Sequence, residues 1–353
     1  MKRTFTLVVL GLLIVSMVAG CAQDSGKKDV KVTEAYKYSK AGNGTEMPVP
    51  PKPKKQYTIG VALPHLANPH FVAQAYGYFD EAEKLGVKVV LFEAGGYANL
   101  DRQISQVEDL LAKPVDAVCL VAVNLDGTKA IVDECNKRGV PVINVNVLTA
   151  NENVVTRVRS DDETIGRTAA EYVVKATGGK ANVLMLSGAP GASYAIYRPK
   201  GFKEVVAQYP DIKILEERFQ ANAPEAGVKE MEDALQKYPD VNVLYTSGEM
   251  IALGAANAIQ AAGKTGQILI TTVDPSVDTV TAIKEGRIAA TVVQSSVDMG
   301  RWGIRAAVWT LEGKADTLSK QYFTPVYVVD KSNADTFLFE GVSRPPANWT
   351  MPK

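Results

Sequence analysis

Twelve side chains have the chemistry to hold a small polar solute: Asn68, His70 and Phe71 in one loop, Tyr97 and Asn124 in two others, then Asn146, Ser160, Tyr194, Arg198, Glu249, Asp274 and Gln294. Amides and hydroxyls both donate and accept hydrogen bonds, carboxylates accept two or more, a guanidinium donates in a fork, and aromatic faces cover the less polar faces of a ring. A single Asn or Asp in a turn is explained by its backbone preference alone, so the group says more than any member. Other chemistries lack their residues. The loop Leu63-Pro64-His65-Leu66-Ala67-Asn68 has no glycine where a pyrophosphate needs close backbone approach, and Gly188-Ala189-Pro190-Gly191-Ala192-Ser193 has neither that spacing nor a P-loop lysine. There is no G-x-S-x-G elbow, and the only histidines, His65 and His70, share one loop without the acidic companions of a zinc site. The reading is a binding protein, not an enzyme, with no cofactor and no metal.

The elements that must position these residues follow from periodicity. From Tyr57 onward short β-branched runs alternate with helical patterns, the signature of a parallel sheet covered on both faces. Strands are expected over 57–63, 87–92, 115–123 and 142–145, with helices over 71–85, 99–112 and 127–138 between them. The rhythm restarts after Ser160-Asp161-Asp162, where an aspartate is placed to cap a helix over 163–175, and continues with strands over 182–186, 212–216, 242–246 and 267–273. The fold class is therefore α/β, two doubly wound parallel-sheet lobes. All strands are expected to point the same way, so the loops at their carboxyl ends face each other across a cleft. Trp302 and Trp309, seven apart on a helix, read as packing residues rather than a ligand platform.

Lys plus Arg and Asp plus Glu are 39 each, which leaves no long-range field to gather nucleic acid or an anionic membrane. Residues 1–21 read as an export signal, with Lys2 and Arg3 before an apolar stretch too short to span a bilayer comfortably. Its end, Val18-Ala19-Gly20-Cys21, resembles the lipobox of bacterial lipoproteins, which implies lipidation of Cys21 and an anchored, periplasmic or cell-envelope location. Residues 22–56, rich in Lys, Ser, Gly and Pro, are expected to be a flexible tether. Cys119 and Cys135 lack metal spacing and read as two buried thiols in preference to a disulfide.

The chain from about 57 to 329 resembles the ribose and galactose type of bacterial periplasmic binding proteins. The resemblance is carried by Ile59-Gly60-Val61, Asn68-Pro69-His70-Phe71, Pro141 to Asn146, Ser160-Asp161, Arg198 with Gly201-Phe202, Ala252 to Ala255, Asp274, and Ala290 to Gln294. It implies two lobes joined by a three-segment hinge: 57–161 with 295–322 as the first, 162–294 with 323–353 as the second. It also implies a monomeric receptor that delivers a sugar or sugar-like solute to an ABC permease, with Asn68, Asp274 and Gln294 on sugar hydroxyls. The sequence departs from the family pattern in three places: Asn146 is an amide where an acid is expected, Val147 stands for an arginine, and Ile196 occupies the place expected for the binding arginine. Two shorter stretches, Phe92 to Tyr97 and Lys331 to Asp335, are similar to periplasmic regulators that sense trimethylamine N-oxide. They imply the alternative of a ligand-sensing subunit that signals through a membrane histidine kinase.

Overall fold

The computed structural model describes residues 46–352. The export signal, Cys21 and most of the expected tether lie outside the described residues.

The alternation expected from the sequence forms β1 (Thr58–Leu63), α1 (Pro69–Leu85), β2 (Lys88–Glu93), α2 (Leu100–Leu111), β3 (Ala117–Leu120), α3 (Lys129–Lys137), β4 (Val142–Val145) and β5 (Thr156–Arg159). The chain then crosses to α4 (Asp162–Thr177), β6 (Ala181–Leu186), α5 (Ser193–Val206), β7 (Ile212–Arg218), α6 (Pro224–Lys237), β8 (Val243–Thr246), α7 (Glu249–Ala261), β9 (Leu269–Val273), α8 (Val277–Lys284) and β10 (Ala290–Gln294). It returns for α9 (Ser296–Trp309) and β11 (Gln321–Phe323), and crosses a last time into β12 (Val326–Asp330). Two six-stranded sheets result, ordered β11-β5-β4-β3-β1-β2 and β12-β10-β9-β8-β6-β7. Each is the centre of one lobe, with apolar clusters on both of its faces.

One strand breaks the expectation that all point the same way: β12 runs antiparallel to β10. The connectivity requires it. Strand β10 runs toward the hinge and leaves its lobe, β11 runs toward the hinge beside β5 in the other lobe, and β12 re-enters from the hinge and must run away from it. The crossing near Ser160 is pinned to the crossing near Thr324 by their hydroxyls, 2.8 Å apart and both buried.

Helices that set the cleft geometry pack backbone to backbone. A Cβ on Gly166 of α4 would fall on the Arg198 carbonyl, and one on Gly201 of α5 on the Glu163 carbonyl. That contact fixes how Arg198 enters the cleft. Gly77 of α1 and Gly300 of α9 make the same kind of crossing in the first lobe.

Three further expectations are corrected. Asp161 stands at the cap position of α4, but its side chain accepts from the Thr164 hydroxyl and meets Arg167 instead of bonding a free helix N–H. The end of the expected tether is docked: Met47 is fully buried in the first-lobe core, and its carbonyl and that of Pro48 accept from Arg305 and the Trp309 indole. The C-terminal segment does not stay with the second lobe. Phe339 packs there, but Trp349 stacks edge-on against Tyr76 of α1 at 5.5 Å, so the tail reaches back to the first lobe. Cys119 and Cys135 are both free and buried, and burial pushes the Cys135 thiol up to about 12.

Candidate functional site

The two sheets present the carboxyl ends of their strands to each other, and the residues just past those ends meet. Asn146 follows β4 and Asp274 follows β9 at φ of 60° and 72°, the two non-glycine residues with positive φ among the described residues. Such backbone is unfavourable for most side chains and tolerated by Asn and Asp; here it turns two polar groups into the cleft at matching places in the two lobes.

His70 joins them. The Asn68 side chain accepts from the His70 backbone N–H at 2.7 Å and caps α1, which sets the ring on the first helical turn. Ring Nε2 lies 2.7 Å from the Asn146 amide nitrogen, which also donates to Gln74. With Nε2 accepting, Nδ1 carries the proton and lies 3.1 Å from Asp274 Oδ1 across the cleft and 2.8 Å from the Ser296 hydroxyl. The Gln294 amide also donates to Asp274 Oδ1, at 2.9 Å. No hydrogen bond among the described residues reaches Asp274 Oδ2. Burial works to raise the Asp274 pKa, but His70, Arg198 and the Gln294 amide outweigh it and hold this carboxyl below the usual range. Asp274 does not cap the next helix, because Ser276 Oγ accepts from the Thr279 N–H at the start of α8.

Arg198 comes from α5 of the second lobe. It is buried, donates from Nε to Asp162 at 2.8 Å and from Nη1 to the Ser247 carbonyl at 2.8 Å, and lies 5.0 Å from the Tyr194 ring. Burial opposes its charge, but Asp162 and Asp274 more than compensate and keep it protonated. Tyr194 meets Tyr97 of the first lobe at 5.4 Å, and Tyr97 lies 6.4 Å from Phe71. Aromatic faces thus run along one wall from lobe to lobe. The lobes are closed on each other: Leu125 N–H donates to the Gly191 carbonyl at 2.8 Å and Leu148 N–H to Ser193 Oγ at 2.9 Å.

Eight of the twelve expected residues line this cleft: Asn68, His70, Phe71, Tyr97, Asn146, Tyr194, Arg198 and Asp274. Gln294 stands behind Asp274 and orients it. Glu249, the first residue of α7, is buried next to Asn68 with Oε2 unpartnered. Ser160 is tied to Thr324 in the hinge. Asn124 closes its own turn, accepting from Gly127 and Asp126 N–H. Ile196 is 42 % exposed and lies outside the cleft lining, so the binding-arginine position expected there is not in the cleft; the buried arginine is Arg198. Ser247 also lines the cleft, and so does Asn222, which was not singled out from the sequence. Asn222 lies past the end of β7 as Asp274 lies past β9, which is the signal that could have found it.

Burial, reinforced by the Asp274 charge, pushes the Glu249 carboxyl up to about 8. The folded state therefore holds this proton more tightly than the unfolded chain. The resulting stability is complete below the usual glutamate pKa and is lost as pH rises through about 8. The melting temperature of the ligand-free protein is expected to fall from pH 5 to pH 8 by more than that of Glu249→Gln. Parallel melting curves of the two proteins across that range would remove Glu249 as the source.

The model of a periplasmic binding protein domain matches residues 59–315. The chain belongs to that family. The ribose import binding protein RbsB of Bacillus subtilis (strain 168) is 33% identical over 261 residues, covering 74% of this chain and 84% of that protein. The D-allose-binding periplasmic protein of Escherichia coli K12 is 26% identical over 259 residues, covering 70% and 82%. Among solved structures, the substrate-binding protein of a sugar ABC transport system from Bordetella parapertussis superposes with a TM-score of 0.79 at 25% identity, covering 86% of this chain and 98% of its own. The arabinose-transporter binding protein from Shewanella sp. ANA-3, bound to L-arabinofuranose, gives 0.74 at 26% identity, covering 79% and 93%. By their names these relatives bind, import or transport sugars, and none of them supports the kinase-linked sensor reading. The two periplasmic binding protein lobes, each an α/β sheet, and the hinge of three crossings are those expected from the sequence.

Proposed function

We propose that this protein captures a monosaccharide or closely similar polyhydroxy solute between its lobes and presents it, closed, to an ABC permease. The observation that carries the reading is the composition of the cleft: a carboxylate with one oxygen unengaged, a buried arginine, amides from both lobes and aromatic faces between them. Sugar hydroxyls each donate and accept, and such a set satisfies both roles, while Phe71 and Tyr97 cover the C–H faces of a ring. Asp274 Oδ2 accepts from one hydroxyl, and Glu249, protonated near neutral pH beside Asn68, adds no second negative charge to the cleft. Closure follows because a solute touching both lobes gains its full contacts only when they meet.

The relatives bind ribose, allose and arabinose by name, which favours this solute class over amino acids or peptides. A thermal-shift panel of pentoses, hexoses, polyols and amino acids tests it. A recognised sugar at about 100 times its dissociation constant adds about 2.7 kcal/mol of stability. A shift from amino acids with none from any sugar or polyol would overturn the assignment.

In the same reading the protein is a monomer held at the cell envelope by lipid on Cys21. Mass spectrometry of the mature N-terminus is expected to find a diacylated or triacylated Cys21. An unmodified mature chain that starts elsewhere would end the anchor claim.

A further inference from the structure

The polar pocket does not end at its aromatic wall. A second space of about 660 Å³ adjoins it, and Tyr97 and Asn222 line both. The chemistry changes across that boundary. The outer walls are made of Ala67 and Ala98 from the first lobe and Ala189, Pro190, Ala223 and Met250 from the second. Small side chains on both sides keep this space open although the lobes already touch deeper in, at His70 with Asp274 and at Tyr97 with Tyr194. A group seated there does not oppose closure.

A free monosaccharide, polar around its whole edge, gains nothing from such walls, whereas an apolar substituent loses water to both lobes at once. Two residues of this space also carry buried polar atoms without partners, Asn222 Oδ1 and His65 Nδ1. Burial lowers the His65 pKa, so its ring is neutral and one nitrogen is an acceptor. Unsatisfied acceptors on this lining suit the nitrogen edge of a flat heterocycle.

We propose that the solute is a glycoside with a flat, largely apolar ring bearing nitrogen donors at its edge, the nucleoside type, with the sugar on the polar groups of the cleft, which part from the His70–Asp274 contact to admit it, and the ring between the alanine walls. This rests on the sugar-binding reading above and narrows its ligand class.

Calorimetric titration with two matched pairs, D-ribose with adenosine and D-galactose with 4-aminophenyl β-D-galactoside, tests it. In at least one pair the ring-bearing member should bind about tenfold or more tightly than the free sugar. Ala98→Trp and Ala221→Trp, which fill the outer space from exposed positions, should abolish that gain and leave affinity for the free sugar unchanged. Melting curves confirm that both variants fold. The proposal is overturned if the free sugar binds as tightly as its ring-bearing partner in both pairs, or if the tryptophan variants weaken both members alike. Binding of amino acids with no binding by any of the four probes would instead remove the sugar reading, and this inference with it.

Discussion

Asp274→Asn should weaken binding of the recognised sugar by about tenfold to a hundredfold, the equivalent of about 1.5–3 kcal/mol for a charged hydrogen bond in a dry site. The substitution is chosen for its backbone. Asp274 sits at φ 72°, a conformation that Asn tolerates, so the variant should keep its fold. It replaces a carboxylate whose Oδ1 is already shared by His70 and Gln294 with an amide that presents either a donor or a single acceptor where Oδ2 stood. Asp274→Ala is a less clean probe, because left-handed backbone costs alanine about 1–2 kcal/mol and stability would fall together with affinity. Equilibrium dialysis with labelled sugar and a melting curve on the same preparation separate the two effects. Unchanged affinity in Asp274→Asn would take this carboxylate out of the site.

Arg198→Leu has the largest expected effect on stability. Asp162 is buried beside the guanidinium at 2.8 Å, and the Ser247 carbonyl depends on the same side chain. Removing one partner of a buried pair strands the other, at a cost of about 3–5 kcal/mol. Binding should be lost as well, since Arg198 lines the cleft. The double variant Arg198→Leu with Asp162→Leu should recover much of the stability and none of the binding, because two apolar groups of similar volume no longer leave a buried charge. Urea unfolding and ligand titration of the three variants decide it. A double variant that binds normally would make Arg198 a purely structural residue. Arg198→Lys is not a mild change here: one ammonium cannot reach both Asp162 and the Ser247 carbonyl with the geometry of a planar fork.

The parts of the fold legible in the sequence are those where apolar spacing decides burial. Strands β1, β3, β6 and β9 are buried almost throughout and read as apolar runs. Strand β5 escaped because it alternates Thr156 and Val158 inward with Arg157 and Arg159 outward, and four residues are too few to show a period. The reversal of β12 depends on how often the chain crosses the hinge, a long-range fact that no local pattern carries. Met47 looked like part of a proline-rich tether because its partners, on α9, lie some 258 residues away.

The site was legible to the extent that strand ends predict loops. Asn146 and Asp274 follow apolar strands and could be placed at the cleft edge from sequence, but their left-handed backbone could not. Arg198 and Ile196 lie two apart on one helix, so which of them faces inward depends on the helix's rotation, and that is set by the Gly166 and Gly201 crossing. Gln294 and Glu249 act through neighbours, and the Ser247 carbonyl is backbone, so residue type alone marks none of these roles. Ser160 looked like a ligand group because a buried hydroxyl at a strand end serves a hinge as well as a cleft.

Native mass spectrometry of the purified protein in a mixed panel of pentoses, hexoses, nucleosides, polyols and amino acids tests the central claim most directly. The account predicts one adduct per chain, with the mass of a single sugar or sugar-bearing solute, lost from Asp274→Asn at the same concentration. An adduct of an amino acid, or a sugar adduct that persists unchanged in Asp274→Asn, would contradict it.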